Sequence, residues 1–146
     1  MKFTRLHPWR LDYEKAIQVQ ETLRDRLILK KPTGKICTVA GADVSYDKQS
    51  DRFFAGVVVF KLGKHLERVE ERTAVGKARF PYIPGLLSFR EAPILLKVFT
   101  KLKITPDIIL FDGQGIAHPR HFGLASHLGL ILDRPSIGCA KTRLVG

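Results

Sequence analysis

Residues 36–45, ICTVAGADVS, carry apolar side chains at odd and even positions alike. Successive side chains of a strand point to opposite faces, so a strand of this kind needs cover on both sides. It belongs at the centre of a sheet, and the rest of the chain has to supply its neighbours and its cover. At 146 residues the chain is one domain of ordinary size, spanning 1–146, and it can bury a substantial core.

The flanking patterns predict those neighbours. A helix is expected from about Leu11 to Leu29, where Tyr13, Ala16, Ile17, Leu23 and Leu27 share one face, and Pro32-Thr33-Gly34 ends it. After the central strand come a second strand over Phe53–Lys61, a turn at Leu62-Gly63-Lys64-His65, and a third strand over Leu66–Val75. A helix over Ser88–Lys103 buries Ala92, Leu95, Leu96, Phe99 and Leu102. A strand over Asp107–Phe111, a short helix over about Phe122–Leu132 and a strand over Ser136–Cys139 complete the order. Short turns make the first three strands an antiparallel meander, and helical crossovers set the later strands parallel to a neighbour. The expected class is therefore α/β (an α+β mixed sheet with flanking helices), a layout that matches the ribonuclease H-like fold.

Charge narrows the partners. The formal net charge is +11, and residues 1–35 hold nine Lys/Arg against four Asp/Glu. Such a balance favours polyanions, nucleic acid first among them, although solubility alone would also account for it. No apolar run approaches the roughly 20 residues of a membrane span, and MKFTRLHPWR lacks the apolar stretch of a secretory signal. Cys37 and Cys139 have no metal or redox spacing and read as buried thiols in a reducing, cytoplasmic compartment.

Three carboxylates stand at element ends. Asp43, in GADVSY, sits near the end of the central strand among small and apolar neighbours, where an unpartnered buried acid is costly. A partnered structural aspartate or a turn former is the plain alternative. Glu91 opens the Ser88 helix, and Ser88-Phe89-Arg90-Glu91 also fits a capping box. Asp112 stops the apolar run Ile108–Phe111, and Gly113 and Gly115 follow it, removing side chains where a phosphate or base would approach. A tight turn after a strand explains the same residues. GQGIAH is neither a dinucleotide fingerprint nor a P-loop. If the fold holds, Asp43 and Asp112 face one another on neighbouring strands. Hard oxygen ligands so placed suit Mg²⁺, with Mn²⁺ able to substitute, and point to metal-assisted phosphodiester hydrolysis.

GADVSYD, PYIPGLLSFRE, DGQGIAHPRHFGLASHLG and IGCAKTRL, in this order and spacing, resemble the endonuclease V family from about Leu11 onward. The resemblance implies a ribonuclease H-like, Mg²⁺-dependent DNA repair endonuclease. It would recognise deaminated purine, chiefly deoxyinosine, and hydrolyse the second phosphodiester 3′ of the lesion. By the same resemblance Asp43, Glu91 and Asp112 are the catalytic, metal-binding acids, and Lys141 lies near the scissile phosphate. Pro81-Tyr82-Ile83-Pro84 is a wedge with Tyr82 stacking at the lesion. Leu87, Gly113 and Gly115 line the inosine pocket, and His118 belongs to the loop after Asp112. His121 and His127 are expected to be structural.

The family chain continues past IGCAKTRL, whereas this chain stops at Gly146. A C-terminally short domain is expected to leave one face or edge of the last strand bare, inviting self-association or low stability and weakening activity. The alternatives are an inosine-binding or nucleic-acid-binding module that does not cut, and another nuclease of the same fold, such as a junction resolvase or an RNA-directed enzyme. Inosine-containing RNA is a further partner compatible with the same residues.

Overall fold

The structure, a computed structural model, describes residues 1–142. In chain order its elements are α1 (Tyr13–Arg24), β1 (Thr38–Asp47), β2 (Arg52–Lys61), β3 (Glu67–Lys77), α2 (Leu87–Lys101), β4 (Ile108–Asp112), α3 (Leu124–Leu132) and β5 (Ser136–Cys139). The strands form one sheet in the order β3-β2-β1-β4-β5. β1 is central, as its two-faced apolar pattern requires. It pairs antiparallel with β2 and parallel with β4, and β4 pairs parallel with β5.

The sheet's two faces differ. Phe53, Ala55, Val57 and Val59 of β2, Ala40 and Ala42 of β1, and Ile109 and Phe111 of β4 pack with α2 and α3 into the main core. Burying a large apolar side chain stabilises by roughly 1.5–3 kcal/mol, so this layer supplies most of the drive to fold. The opposite row runs across the register Ile137–Leu110–Gly41–Val58 and, a turn of pleat away, Phe54–Val75. Among the described residues no helix covers it, and Phe54, Val75 and Ile137 are 47%, 53% and 46% exposed.

Three expectations need correction. α1 ends at Arg24 instead of continuing to Leu29, and Ile28 and Leu29 are exposed because nothing packs against a longer helix. Its buried face is Ala16, Gln20 and Leu23, while Tyr13 faces solvent. Cys37 and Cys139 are exposed free thiols, since each sits at a sheet boundary and not within the core. Ser88 does not cap α2. The N-cap is Leu86, with no side-chain bond, and the Ser88 hydroxyl is turned into the protein toward His127.

A second, smaller core of Ala16, Phe80, Leu86 and Phe89 joins α1 to the approach to α2. The N-terminal arm is strapped over the same region. Thr4 N–H donates to the Ile131 carbonyl at 3.2 Å, and Trp9 meets Phe89 edge-on at 6.0 Å between centroids. This packing holds the start of α2 against the end of the central strands.

Candidate active site

Parallel pairing brings two acids together. β1 and β4 run in register to Ala42 and Phe111, and the next residues are Asp43 and Asp112. The two carboxyls are near enough for Asp112 to feel the charge of Asp43, whose Oδ1 accepts from the Val44 N–H at 2.8 Å. Asp43 lies mid-strand and is exposed, contrary to the expected buried strand end, because the antiparallel pairing with β2 continues to Asp47. Partial loss of water, followed by the hydrogen bond to Asp43 and its charge, raises the Asp112 pKa; Lys141 pulls it back down. Lys141 is exposed just after β5, within electrostatic reach of the pair.

Glu91 completes the cluster from near the start of α2, four residues after Leu87. With Ser88 turned away the capping box does not form, so Glu91 is not held by a local cap. Burial raises its pKa, Asp43 and Asp112 raise it further, and Arg90 opposes them; the result is pushed up to about 7. Arg90 itself donates to the Phe80 carbonyl at 2.7 Å and lies over the rings of Tyr46 and Phe53.

Among the described residues, no three His, Cys, Asp or Glu side chains already enclose a point that a metal ion could take. The donor set still fits a hard divalent cation. Mg²⁺ is commonly bound through one or two carboxylates with several waters, and acids whose pKa is raised by neighbouring acids, as those of Asp112 and Glu91 are, make the kind of site a cation relieves.

Of the residues expected to form a wedge, Pro81, Tyr82 and Pro84 are exposed and Ile83 is half-buried. Tyr82 is 69% exposed between Pro81 and Pro84, each of which fixes its own φ, while Ile83 packs against the smaller core. The segment is anchored behind by Gly85, whose φ of +84° favours glycine and whose added Cβ would lie 2.7 Å from Arg120. The Gly85 carbonyl accepts from Gln20 Nε2 at 2.8 Å, from Arg120 at 3.0 Å and from His118 Nε2 at 2.7 Å. Arg120 also donates to Gln20 Oε1, closing the cluster.

His118 is therefore committed inside the protein. Its Nδ1 accepts from the backbone N–H groups of Arg120 and Phe122, which leaves Nε2–H to donate to Gly85. Burial is the main cause of its lowered pKa and keeps the ring neutral. Leu87 and His118 line a cavity of about 20 Å³ with Gly85 and Gln114; Gly113 and Gly115 lie outside that lining. The space suits one water and not a purine. Gly113 instead packs on Leu124, and Gly115 accepts from Gly123 N–H at 2.8 Å.

A mixed sheet in this order, with carboxylates contributed by its two central parallel strands and by the adjoining helix, has the ribonuclease H-like fold. The family model described as Endonuclease V matches residues 21–146. The chain belongs to the endonuclease V family. An endonuclease V of Dictyoglomus turgidum is 47% identical over 138 residues, covering 94% of this chain and 59% of that protein. The crystal structure of endonuclease V from Streptomyces avermitilis superposes with a TM-score of 0.85 at 46% identity, covering 92% of this chain and 59% of that one. An endonuclease V of Ciona intestinalis, solved in complex with a 24mer DNA containing an inosine followed by a ribo-adenosine, matches with a TM-score of 0.79 at 31% identity over 88% of this chain and 57% of that one. The chain thus spans about three-fifths of the length of these relatives.

Gln20, Arg90 and Arg120 escaped the reading of the sequence. Gln20 is a polar residue on the inner face of α1, and that irregularity in the apolar stripe was the one available signal.

Proposed function

We propose that the chain carries the catalytic centre of a Mg²⁺-dependent endonuclease acting at deoxyinosine and related deaminated purines in DNA, hydrolysing the second phosphodiester 3′ of the lesion. The observation that carries this reading is the Asp43–Asp112 pair with Glu91 beside it, Glu91 standing near the start of the helix that follows the exposed Tyr82 segment. Asp43 and Asp112, with Glu91, are the residues that would hold the metal. When bound, Mg²⁺ supplies Lewis acidity, lowering the pKa of water and stabilising the leaving oxygen.

The chain's own groups do the rest. Tyr82 stacks on bases exposed when the damaged nucleotide leaves the helix, offsetting part of an unstacking cost of a few kcal/mol. Lys141, beside Asp112, offsets phosphate charge. Glu91, with a pKa of about 7, can hold or release a proton near neutrality. Leu87 and the backbone around Gly113 and Gly115 are the groups that would meet the base, and the family setting points to the cytoplasm.

A second reading, binding without cutting, is favoured by the absence of a preformed three-ligand site among the described residues. One inosine oligonucleotide separates them. Binding in Ca²⁺ and cleavage in Mg²⁺ support the nuclease; binding in Ca²⁺ with no product in Mg²⁺ or Mn²⁺ supports the module. Equal affinity for an inosine-free oligonucleotide removes lesion recognition altogether.

A further inference from the structure

Beside the wedge, on the side of Arg90, lies a groove of about 980 Å³, at the upper end of the roughly 300–1,000 Å³ typical of ligand clefts. Its lining comes from the N-terminal arm, the end of β3, the segment leading to the wedge and one face of α2. Arg10, Lys77, Arg79, Arg90 and Lys97 contribute five cations, and no Asp or Glu among the described residues lines it. Arg90 is occupied by the Phe80 carbonyl and two aromatic rings. Arg10, Lys77, Arg79 and Lys97 are exposed and take part in none of the ion pairs among the described residues. Like charges gathered without a counter-charge repel and favour an anion in the groove.

The occupant is indicated by what the groove adjoins. Pro81 lines it, and Tyr82 follows directly. On α2, Arg90 faces the groove while the next residue, Glu91, feels the charges of Asp43 and Asp112. A linear polyanion that crosses the acids and meets Tyr82 has beside it this groove, lined by Pro81 and by cations from separate elements. We propose that the groove binds the phosphodiester backbone of the nucleic-acid arm lying beyond Tyr82 from the carboxylates. This assignment rests on the nuclease reading for its geometry, but its affinity is independent of the lesion, because phosphate contacts position without reading sequence.

The test compares the parent protein with a Lys77→Gln/Arg79→Gln/Lys97→Gln variant, by fluorescence anisotropy in Ca²⁺ across a salt series. The three side chains are exposed, and an unchanged melting temperature verifies the fold. Each lost phosphate contact removes about 0.9 from the slope of log K against log salt on duplex DNA, so the variant's slope falls by about 2.7 on an inosine-free duplex. On an inosine duplex with the arm beyond the wedge cut back to the lesion, parent and variant should bind alike. Equal slopes on the full duplex, or an equal loss on the shortened one, overturns the proposal. Displacement of the duplex by poly-glutamate at matched charge overturns the nucleic-acid occupant. A parent that ignores inosine refutes the lesion reading while leaving the slope comparison on inosine-free DNA intact.

Discussion

The Nε2 atoms of His7 and His127 lie 2.6 Å apart, and the surrounding partners fix which ring donates. His7 Nδ1 faces the Pro8 carbonyl at 2.8 Å, so it must carry a hydrogen, leaving His7 Nε2 to accept. His127 Nε2–H is the donor, and His127 Nδ1 accepts from the Ser88 hydroxyl at 2.8 Å. The relay ties the N-terminal arm to α3 and α2 with two neutral rings.

Acid should loosen this relay. Burial lowers the pKa of both histidines from the usual 6.5, that of fully buried His127 by a large margin. The unfolded chain takes up protons below about 6.5 where the folded one does not, so stability is present above that value and falls as pH drops through it. His7→Ala leaves the buried His127 N–H without its partner and should cost about 1–3 kcal/mol in urea unfolding at neutral pH. An unchanged midpoint would mean that the arm is not fastened there.

Glu91 works in the opposite direction. Its raised pKa means that the folded state holds the proton longer, so its contribution is favourable below about 4.5 and is lost as pH rises through about 7. Glu91→Gln should remove that loss, gaining at most about 3 kcal/mol over the metal-free parent at alkaline pH. The difference between the two melting curves isolates the carboxylate from the histidines.

Mg²⁺ and protons compete for the same oxygens, so added Mg²⁺ should raise the melting temperature more at about pH 8 than at about pH 5.5. Asp43→Ala and Asp112→Ala should lose this rise and all cleavage while keeping inosine binding in Ca²⁺. Wild-type cutting by either variant removes these acids from the reaction.

Tyr82→Ala and Gln20→Leu should part company. The first deletes an exposed ring, so stability stays level while affinity for an inosine duplex drops about ten- to a hundredfold, the worth of roughly 1–3 kcal/mol of stacking. The second strands Arg120 and weakens the hold on Gly85, costing about 1–3 kcal/mol of stability as well as discrimination. A Gln20→Leu protein as stable as its parent would show that the clamp carries no weight.

Phe54, Val75 and Ile137 mark a bare apolar sheet face among the described residues. Dynamic light scattering should detect concentration-dependent association, and Phe54→Lys should reduce it. A strict monomer at high concentration would show the face to be well solvated.

The central strand, the meander and the parallel return were legible because periodicity and turn chemistry report directly on sheets. The place of Asp112 was legible for a related reason, since the apolar run Ile108–Phe111 stops at it and β4 ends there. Ser88 was not, because a serine three residues before a glutamate looks like a cap until the distant His127 is brought against it. Gln20 only interrupts the apolar stripe of α1 in the sequence, and it is the tertiary approach of Gly85 that makes it a buried partner of the segment bearing Tyr82. Cys37 and Cys139 were misplaced because apolar neighbours in sequence do not bury a residue at a sheet's margin.

The clamp on Gly85 and the acid on α2 are separated by a single turn of helix. Leu87 to Glu91 spans about 6 Å along the axis, and a hydrogen-bonded turn neither stretches nor slides. The Gly85 anchor behind Tyr82 and the acid at Glu91 are thus held at the two ends of one stiff element. On the proposed function, such a spacer would specify a product by distance: a cut would fall at a set offset from the base that Tyr82 meets, whatever sequence lies between.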